Sequence, residues 1–170
     1  MARSALLSRM LDCEYRYQYK LFGYLTNAGA EEDYRKLEKD ALALTEEYPL
    51  LSTGYYLAGR ICGHYARSFR DDEAGRSAQK ELIDFDKAIE LYEKCLQFEE
   101  TQPAVLYSLA LTLDHVERYA EALEACEKIQ AQMYRDSWST AWGQDYHGWG
   151  VFAHAQNLAA SLRSKLAQAG

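Results

Sequence analysis

Apolar residues recur every three or four positions along most of the chain, which is the spacing of one face of an α-helix. Stretches with this spacing are separated by short polar or glycine-containing segments, and strand-like alternation is hard to find. The pattern therefore predicts an all-α protein. The predicted helices span residues 4–27, 31–48, 52–66, 83–98, 103–116, 119–133 and 145–167.

Helix-breaking and helix-starting residues support these boundaries. The chain has two prolines, Pro49 and Pro103, and a proline removes a backbone donor and clashes with the preceding helical turn. Pro49 therefore ends the second helix, and Gly29 is placed to end the first. Glu31 and Glu32 put negative charge at the start of the second helix, where it interacts favourably with the helix dipole.

One segment occurs twice at a fixed distance. The sequence DFDKAIELYEKC at 84–95 resembles RYAEALEACEKI at 118–129. Phe85 and Tyr119 occupy the same position in the two copies, as do Ala88 and Ala122, and the members of each pair are 34 residues apart. A repeat of this length indicates a supersecondary unit that stacks on its neighbours.

The repeated unit resembles the tetratricopeptide repeat, a pair of antiparallel helices that stacks into a right-handed superhelix. The best match is residues 103–136, where the apolar and small positions of the family are occupied by Leu106, Leu109, Ala110, Leu113, Ala122, Cys126 and Ile129. The small residues let the two helices of a unit approach closely. Within this match, Glu117 stands where a glycine is usual in the family. In the first repeat, Leu37 stands where a small residue is expected.

The resemblance implies one domain of three repeats and a cap. The repeats are residues 1–50, with a long first helix, 51–100 and 101–136, and an aromatic-rich linker with a capping helix follows at 137–170. The first helices of repeats two and three are 51 residues apart, whereas their second helices are 34 apart. About 17 extra residues therefore lie in repeat two, at about 67–82. Because this segment is charged and contains Gly75, we expect a solvated loop whose second half is partly helical.

The charge of the chain excludes some classes of partner. Acidic residues outnumber basic ones by 26 to 19, which gives a net charge of −7. This charge repels a phosphate backbone and adds little attraction to an anionic membrane surface, and no apolar stretch is long enough to span a bilayer. We therefore expect a cytoplasmic protein that binds neither nucleic acid nor membrane. Its four dispersed cysteines, Cys13, Cys62, Cys95 and Cys126, are expected to be buried free thiols.

No arrangement of residues indicates catalysis or a cofactor. Cys62 and His64 are two residues apart, which on a helix turns their side chains about 200° from each other. His147 and His154 share a face of the last helix but are separated by about 10 Å of helical rise, too far to hold one metal ion. Nucleotide-binding and hydrolase motifs are not found. We expect no enzyme activity and no cofactor; binding of a small molecule or metal near His147 and Trp149 is an alternative.

The candidate binding residues come from a regular pairing of tyrosine with histidine. A tyrosine precedes a histidine by eight residues three times, and in the first two pairs the resemblance implies that both positions face a concave groove. The predicted groove residues are Tyr56, Arg60, His64, Tyr107, Leu111, His115, Tyr146 and His154. The alternative is that tyrosine, which occurs 14 times, recurs through composition, and that histidines end helices because a cation there suits the dipole.

All three tryptophans lie in one segment, DSWSTAWGQDYHGWG. We expect Trp138, Trp142 and Trp149 to seal the end of the helical stack, which would otherwise expose an apolar face. The alternative is a role in recognising a partner.

The resemblance implies a non-enzymatic protein-binding module, an adaptor or a dedicated chaperone, that holds a peptide or helix of another protein in its groove. Members of the family that bind acidic chaperone tails use lysines and asparagines, and the third repeat has Ala104 and Ser108 where such residues would lie. That activity is therefore not expected. The alternatives are a subunit of a homo-oligomer or larger complex, for example a chaperone of a bacterial secretion system, since the length and charge are similar.

Overall fold

The computed structural model describes residues 2–17, 30–63, 83–98, 102–129 and 148–169, and these residues are almost entirely helical. The helices are α1 (Ala2–Tyr15), α2 (Ala30–Glu47), α3 (Ser52–Gly63), α4 (Phe85–Phe98), α5 (Pro103–His115), α6 (Tyr119–Glu127) and α7 (Gly148–Ala169). The predicted all-α class is confirmed for this part of the chain. The predicted insertion at 67–82 and the segment with Trp138 and Trp142 lie outside the described residues. Within the described ranges, no helix is long and apolar enough to cross a membrane.

Helices α2, α4, α5 and α7 begin and end close to the predicted positions. The predicted ends of the first helix at Asn27 and of the third helix at residue 66 lie outside the described residues. Three acidic residues in the first turn of α2, namely Glu31, Glu32 and Asp33, complement its dipole, and Pro103 is the first residue of α5, where a missing backbone donor has no cost. The predicted end of α6 at Met133 is wrong, because the helix already ends at Glu127. There the Ile129 amide donates to the Cys126 carbonyl at 3.1 Å, which tightens the last turn and stops the α-helical pattern.

The helices form two compact units, residues 1–91 and residues 92–170, with the boundary inside α4. In the first unit, α2 packs against both α1 and α3. In the second unit, α5, α6 and α7 all pack against one another. Helices that follow each other in sequence are therefore neighbours in space within each unit, as short connections favour.

The core of the second unit lies at the positions that the repeat pattern predicts. Leu106, Ile129 and Ala155 form a buried cluster against which Leu96, Tyr107 and Phe152 pack. The small residues Ala110 and Ala122 are completely buried, as close packing of α5 on α6 requires. On α7 the buried residues Ala155, Ala159 and Leu162 recur at helical spacing, so this helix covers the preceding pair with one face.

The core of the first unit contains three residues near the start of the chain, Met10, Cys13 and Tyr17, which are buried at helical spacing. On α2 the largest fully buried side chains are Tyr34, Leu37 and Leu44. Leu37 occupies a position where the repeat family has a small residue, and it is nevertheless fully enclosed. The first unit thus accommodates a larger side chain at this helix contact than the second unit does at Ala122.

The last carbonyls of α3 accept hydrogen bonds from α2 and from the residue before α4. The last carbonyls of a helix have no partner within it. Here the Tyr34 hydroxyl donates to the Ile61 carbonyl at 2.5 Å, and the Asp84 amide donates to the Cys62 carbonyl at 3.3 Å. The Asp84 carboxylate also accepts a hydrogen bond from the Lys87 amide at 2.8 Å, so one residue caps two helix ends.

These bonds predict that residues 64–82 can be shortened. Because the chain returns to the end of α3 at Asp84, a Gly-Ser linker of about four residues in place of 64–82 should keep the fold of the first unit. Circular dichroism and urea unfolding should show the same helical content per residue and a free energy of unfolding within about 1 kcal/mol of the parent. Loss of cooperative unfolding in the shortened chain would contradict this, and Asp84→Ala in the parent should destabilise it by about 1 kcal/mol through the lost cap.

The turn between α5 and α6 explains the departure at Glu117. Glu117 has a φ of 63°, the left-handed region in which a side chain is strained and glycine is not. The Arg118 amide donates to the Leu113 carbonyl at 2.9 Å, and the Glu117 amide donates to the Asp114 carbonyl at 3.3 Å. This is a Schellman motif, which requires one left-handed residue just after the helix.

Glu117→Gly should therefore stabilise the protein. Relief of the left-handed strain, about 1–2 kcal/mol, outweighs the extra chain entropy of glycine, about 0.5–1 kcal/mol. Urea unfolding should show a higher midpoint for Glu117→Gly and a lower one for Glu117→Val, whose branched side chain is less compatible with this φ. The matched control is Glu93→Gly at an exposed position inside α4, which should cost about 1 kcal/mol; equal destabilisation by both glycines would contradict the assigned turn.

Candidate partner-binding surface

The structure describes six of the eight predicted groove residues. Tyr56 and Arg60 lie on α3 in the first unit; Tyr107, Leu111 and His115 lie on α5 and His154 lies on α7 in the second unit. His64 and Tyr146 lie outside the described residues. A groove that joins Tyr56 and His64 to Tyr107 and His115 stays a prediction.

In the first unit Arg60 belongs to an internal charged cluster. Its Nη1 atom is 2.7 Å from Glu14 Oε1 on α1, and the two side chains are only 11% and 18% exposed. The guanidinium carbon lies 5.1 Å from the ring centroid of Tyr17 and 5.6 Å from that of Tyr56, which is cation–π distance. The cluster therefore links α1 to α3 through one ion pair and two aromatic rings.

The surroundings of Arg60 keep it charged. Burial alone lowers the pKa of the guanidinium, but Tyr56 and Glu14 raise it by more, so that the net pKa lies above its ordinary value. A buried cation is tolerated only when its charge and donors are matched. Tyr56 itself is 8% exposed, so most of its ring contacts the protein interior.

In the second unit three predicted residues lie along one face of α5. Tyr107, Leu111 and His115 are one helical turn apart and half-buried. The imidazole of His154, an exposed residue on α7, stacks on the Tyr107 ring with centroids 6.2 Å apart and planes inclined by 23°. We call these four residues the α5 face. The structure thus brings His154 next to Tyr107, a contact that the sequence pairing of Tyr146 with His154 does not contain.

The hydroxyl groups beside the α5 face bond to the helix backbone. Ser108 Oγ donates to the Ala104 carbonyl at 2.8 Å, and Thr112 Oγ1 donates to the Ser108 carbonyl at 2.8 Å. Their donor protons are therefore used within α5. The Tyr107 ring and the imidazoles of His115 and His154 lie beside them.

Two ion pairs link α7 to α5 and α6. Lys165 Nζ on α7 is 2.5 Å from Asp114 Oδ1 on α5, whose side chain is 5% exposed. The same Nζ lies 4.9 Å from the ring centroid of Tyr119. Arg163 bonds to Glu127 of α6 at 2.8 Å. Asp114 is the single acidic residue of α5, and α7 has none. Because Asp114 is ion-paired with Lys165, neither helix adds an unpaired carboxylate to the α5 face.

The four cysteines are buried free thiols, as predicted. Burial is the first cause that raises the pKa of Cys62 to about 12 and that of Cys126 to about 11, and it also raises the pKa of Cys13. Nearby carboxylates act in the same direction on Cys62 and Cys126. A thiol with such a pKa is not a nucleophile at neutral pH. In the described part of the chain, no group of three or more His, Cys, Asp or Glu residues could hold a metal ion.

The ion pair at Arg60 predicts a large and rescuable loss of stability. Arg60→Met should lower the free energy of unfolding by about 2–4 kcal/mol, because the Glu14 carboxylate stays largely buried without its cation. The double variant Glu14→Gln/Arg60→Met should recover most of that loss, since no buried charge remains. Urea unfolding of the parent, both single variants and the double variant gives the coupling energy. Additive effects of the two substitutions would show that the pair is not coupled.

No family model, curated protein or solved structure matches the chain.

Proposed function

We propose that the chain is a non-enzymatic protein-binding module of the tetratricopeptide type, in which antiparallel helix pairs stack in a right-handed superhelix. It acts as an adaptor or dedicated chaperone. Three features support the architecture: sequential helix packing, buried alanines at both small positions of the best-matching repeat, and a 34-residue offset between α4 and α6. The Schellman turn at Glu117 adds a fourth, since it explains why a glycine is usual there.

The observation on which the proposed function rests is the α5 face. Tyr107, Leu111 and His115 leave part of each side chain exposed along two turns of a helix that is otherwise well packed, and His154 extends the surface onto α7. We infer that a peptide or helix of a partner protein lies along this face.

The chemistry of the α5 face suits a protein segment. Tyrosine provides an apolar ring with little loss of side-chain entropy. Leu111 provides an apolar contact between Tyr107 and His115, and His154 adds a second aromatic ring stacked on Tyr107. With the Asp114 charge neutralised by Lys165, the face can bury against a partner without desolvating an unpaired carboxylate.

Tyr56 and Arg60 support the proposal less directly. Both side chains are largely taken up in contacts with Glu14 and Tyr17 inside the first unit. Their role in a wider groove stays part of the sequence-based expectation, and the second unit provides the surface to test.

The proposal predicts that substitutions on the α5 face weaken partner binding without unfolding the protein. The full chain is used to capture proteins from an extract of its native cell, and the captured partner is then purified. Leu111→Ser/His154→Ala should weaken its binding to the full chain about tenfold or more, the size expected for a central contact. Binding is measured by titration calorimetry, and helical content by circular dichroism.

The matched control is Asn157→Ala/Ser161→Ala, which changes two exposed residues of α7. It should bind like the parent. If the α5-face variant also binds like the parent, the partner lies elsewhere on the chain and the proposed surface is wrong. If the full chain captures no protein that an irrelevant helical bait fails to capture, the adaptor function itself is contradicted.

A further inference from the structure

The buried cation Arg60 contacts the N-terminal segment of the chain. Its Nη1 atom is 2.7 Å from Glu14 Oε1, and its guanidinium carbon is 5.1 Å from the ring centroid of Tyr17. Both residues belong to residues 2–17, which comprise α1 and the two residues after it and which we call the α1 segment. The α1 segment therefore takes up a residue of α3 that the sequence predicts for partner binding.

The α1 segment presents a carboxylate and an aromatic ring to Arg60. Glu14 and Tyr17 are three residues apart, a spacing that places two side chains next to each other on a helix. The Arg60 side chain is only 11% exposed, and a buried cation requires a matching anion. The ring of Tyr17 adds a cation–π contact. A helix of another protein with an acidic residue and, three positions later, an aromatic residue can make both contacts.

The α1 segment buries few of its side chains. Nine of the twelve residues of α3 are buried, whereas three of the thirteen residues at 5–17 are, namely Met10, Cys13 and Tyr17. Two ion pairs link the segment to α2, Arg9–Glu47 and Arg16–Asp40, and the two carboxylates are 49% and 48% exposed. Exposed ion pairs contribute little to stability. A helix with few buried contacts can detach locally while the rest of its unit stays folded.

We propose that α2 and α3 form a binding site for a helix, that the α1 segment occupies this site as an internal ligand, and that a partner helix with an acidic residue followed three positions later by an aromatic residue competes for it. The proposal is independent of the proposed function, because it uses the first unit and not the α5 face. The α1 segment is then an autoinhibitory element. A partner binds only chains whose α1 segment has detached, so the fraction of such chains limits its apparent affinity.

Charge decides which helices can compete. When the α1 segment detaches, Arg60 loses its carboxylate partner, and its guanidinium carbon stays near the Tyr56 ring, 5.6 Å from the centroid. An acidic side chain of a partner restores the ion pair, whereas a neutral side chain leaves the cation unmatched. The net charge of −7 repels strongly acidic partners. The favoured ligand therefore carries its acidic residue on a helix that also has basic residues, as the α1 segment does with Arg9 and Arg16.

Hydrogen exchange of the full chain tests whether the α1 segment detaches by itself. After correction for intrinsic rates, the amides of residues 8–15 should exchange at least about tenfold faster than the slowest amides of α3, because local detachment costs less free energy than unfolding of the unit. Equal protection of the two helices would show that the α1 segment leaves only when the whole unit unfolds, which overturns the proposal.

Competition is measured by fluorescence anisotropy with the full chain and a labelled peptide of residues 2–17. The double variant Glu14→Gln/Tyr17→Ala removes the contacts of the internal ligand with Arg60 and leaves α2 and α3 unchanged. It should bind the peptide at least about tenfold more tightly than the parent does. The matched control Ala122→Leu destabilises the second unit instead and should bind the peptide like the parent. A folded double variant that binds no better than the parent overturns the proposal.

A second variant loosens the α1 segment without changing its contacts with Arg60. Met10→Ala removes a buried side chain and so weakens the packing of the segment, while Glu14 and Tyr17 stay in place. This variant should also bind the peptide more tightly than the parent, with circular dichroism showing that it is folded. An unchanged affinity in the folded variant overturns the proposal as well.

The same assay tests the role of the carboxylate. A peptide with Glu14→Gln should bind the double variant at least about tenfold more weakly than the peptide of native sequence, because Arg60 stays unmatched. When the receptor chain also carries Arg60→Met, the two peptides should bind alike. Equal binding of both peptides to the double variant would show that the site does not recognise an acidic residue, and the proposed ligand is then wrong.

Discussion

The close approach of α5 and α6 at Ala110 and Ala122 is the constraint on which the second unit depends. Both residues are fully buried, and a larger side chain at either position would push the helices apart at a cost of about 1–3 kcal/mol. Because the two helices lie close together, Leu106 and Ile129 form one buried cluster with Ala155 of α7. The packing of α7 then decides that His154 lies over Tyr107. The arrangement of the α5 face thus depends on Ala110 and Ala122, which lie on the buried sides of α5 and α6.

Each unit uses one ion pair beside aromatic rings to join two helices that are not consecutive. Arg60 joins α3 to Glu14 of α1 between the rings of Tyr17 and Tyr56, and Lys165 joins α7 to Asp114 of α5 beside Tyr119. Burying charged groups costs free energy that the pair only partly recovers. Their structural effect is geometric, since an ion pair fixes one relative position of two helices whereas apolar contacts tolerate several.

Much of the fold could be predicted from the sequence because helical periodicity and the 34-residue offset are local properties of the chain. They indicated the helices and the buried positions Ala110, Ala122 and Ile129. The end of α6 at Glu127 was missed because no proline or glycine follows it, and the 3₁₀-type hydrogen bond of the Ile129 amide has no signal in the sequence. The Arg60–Glu14 pair was missed because its members are 46 residues apart in the chain, although the one charged residue in the apolar helix α3 was a signal.

The α5 face, the binding surface proposed for the second unit, combines an apolar centre at Leu111 with the rings of Tyr107, His115 and His154. Arg163 and Lys165 on α7 are already paired with Glu127 and Asp114. Their charges are therefore matched within the chain, and the proposed surface suits a neutral peptide better than a strongly charged one, because burying an unmatched charge costs free energy.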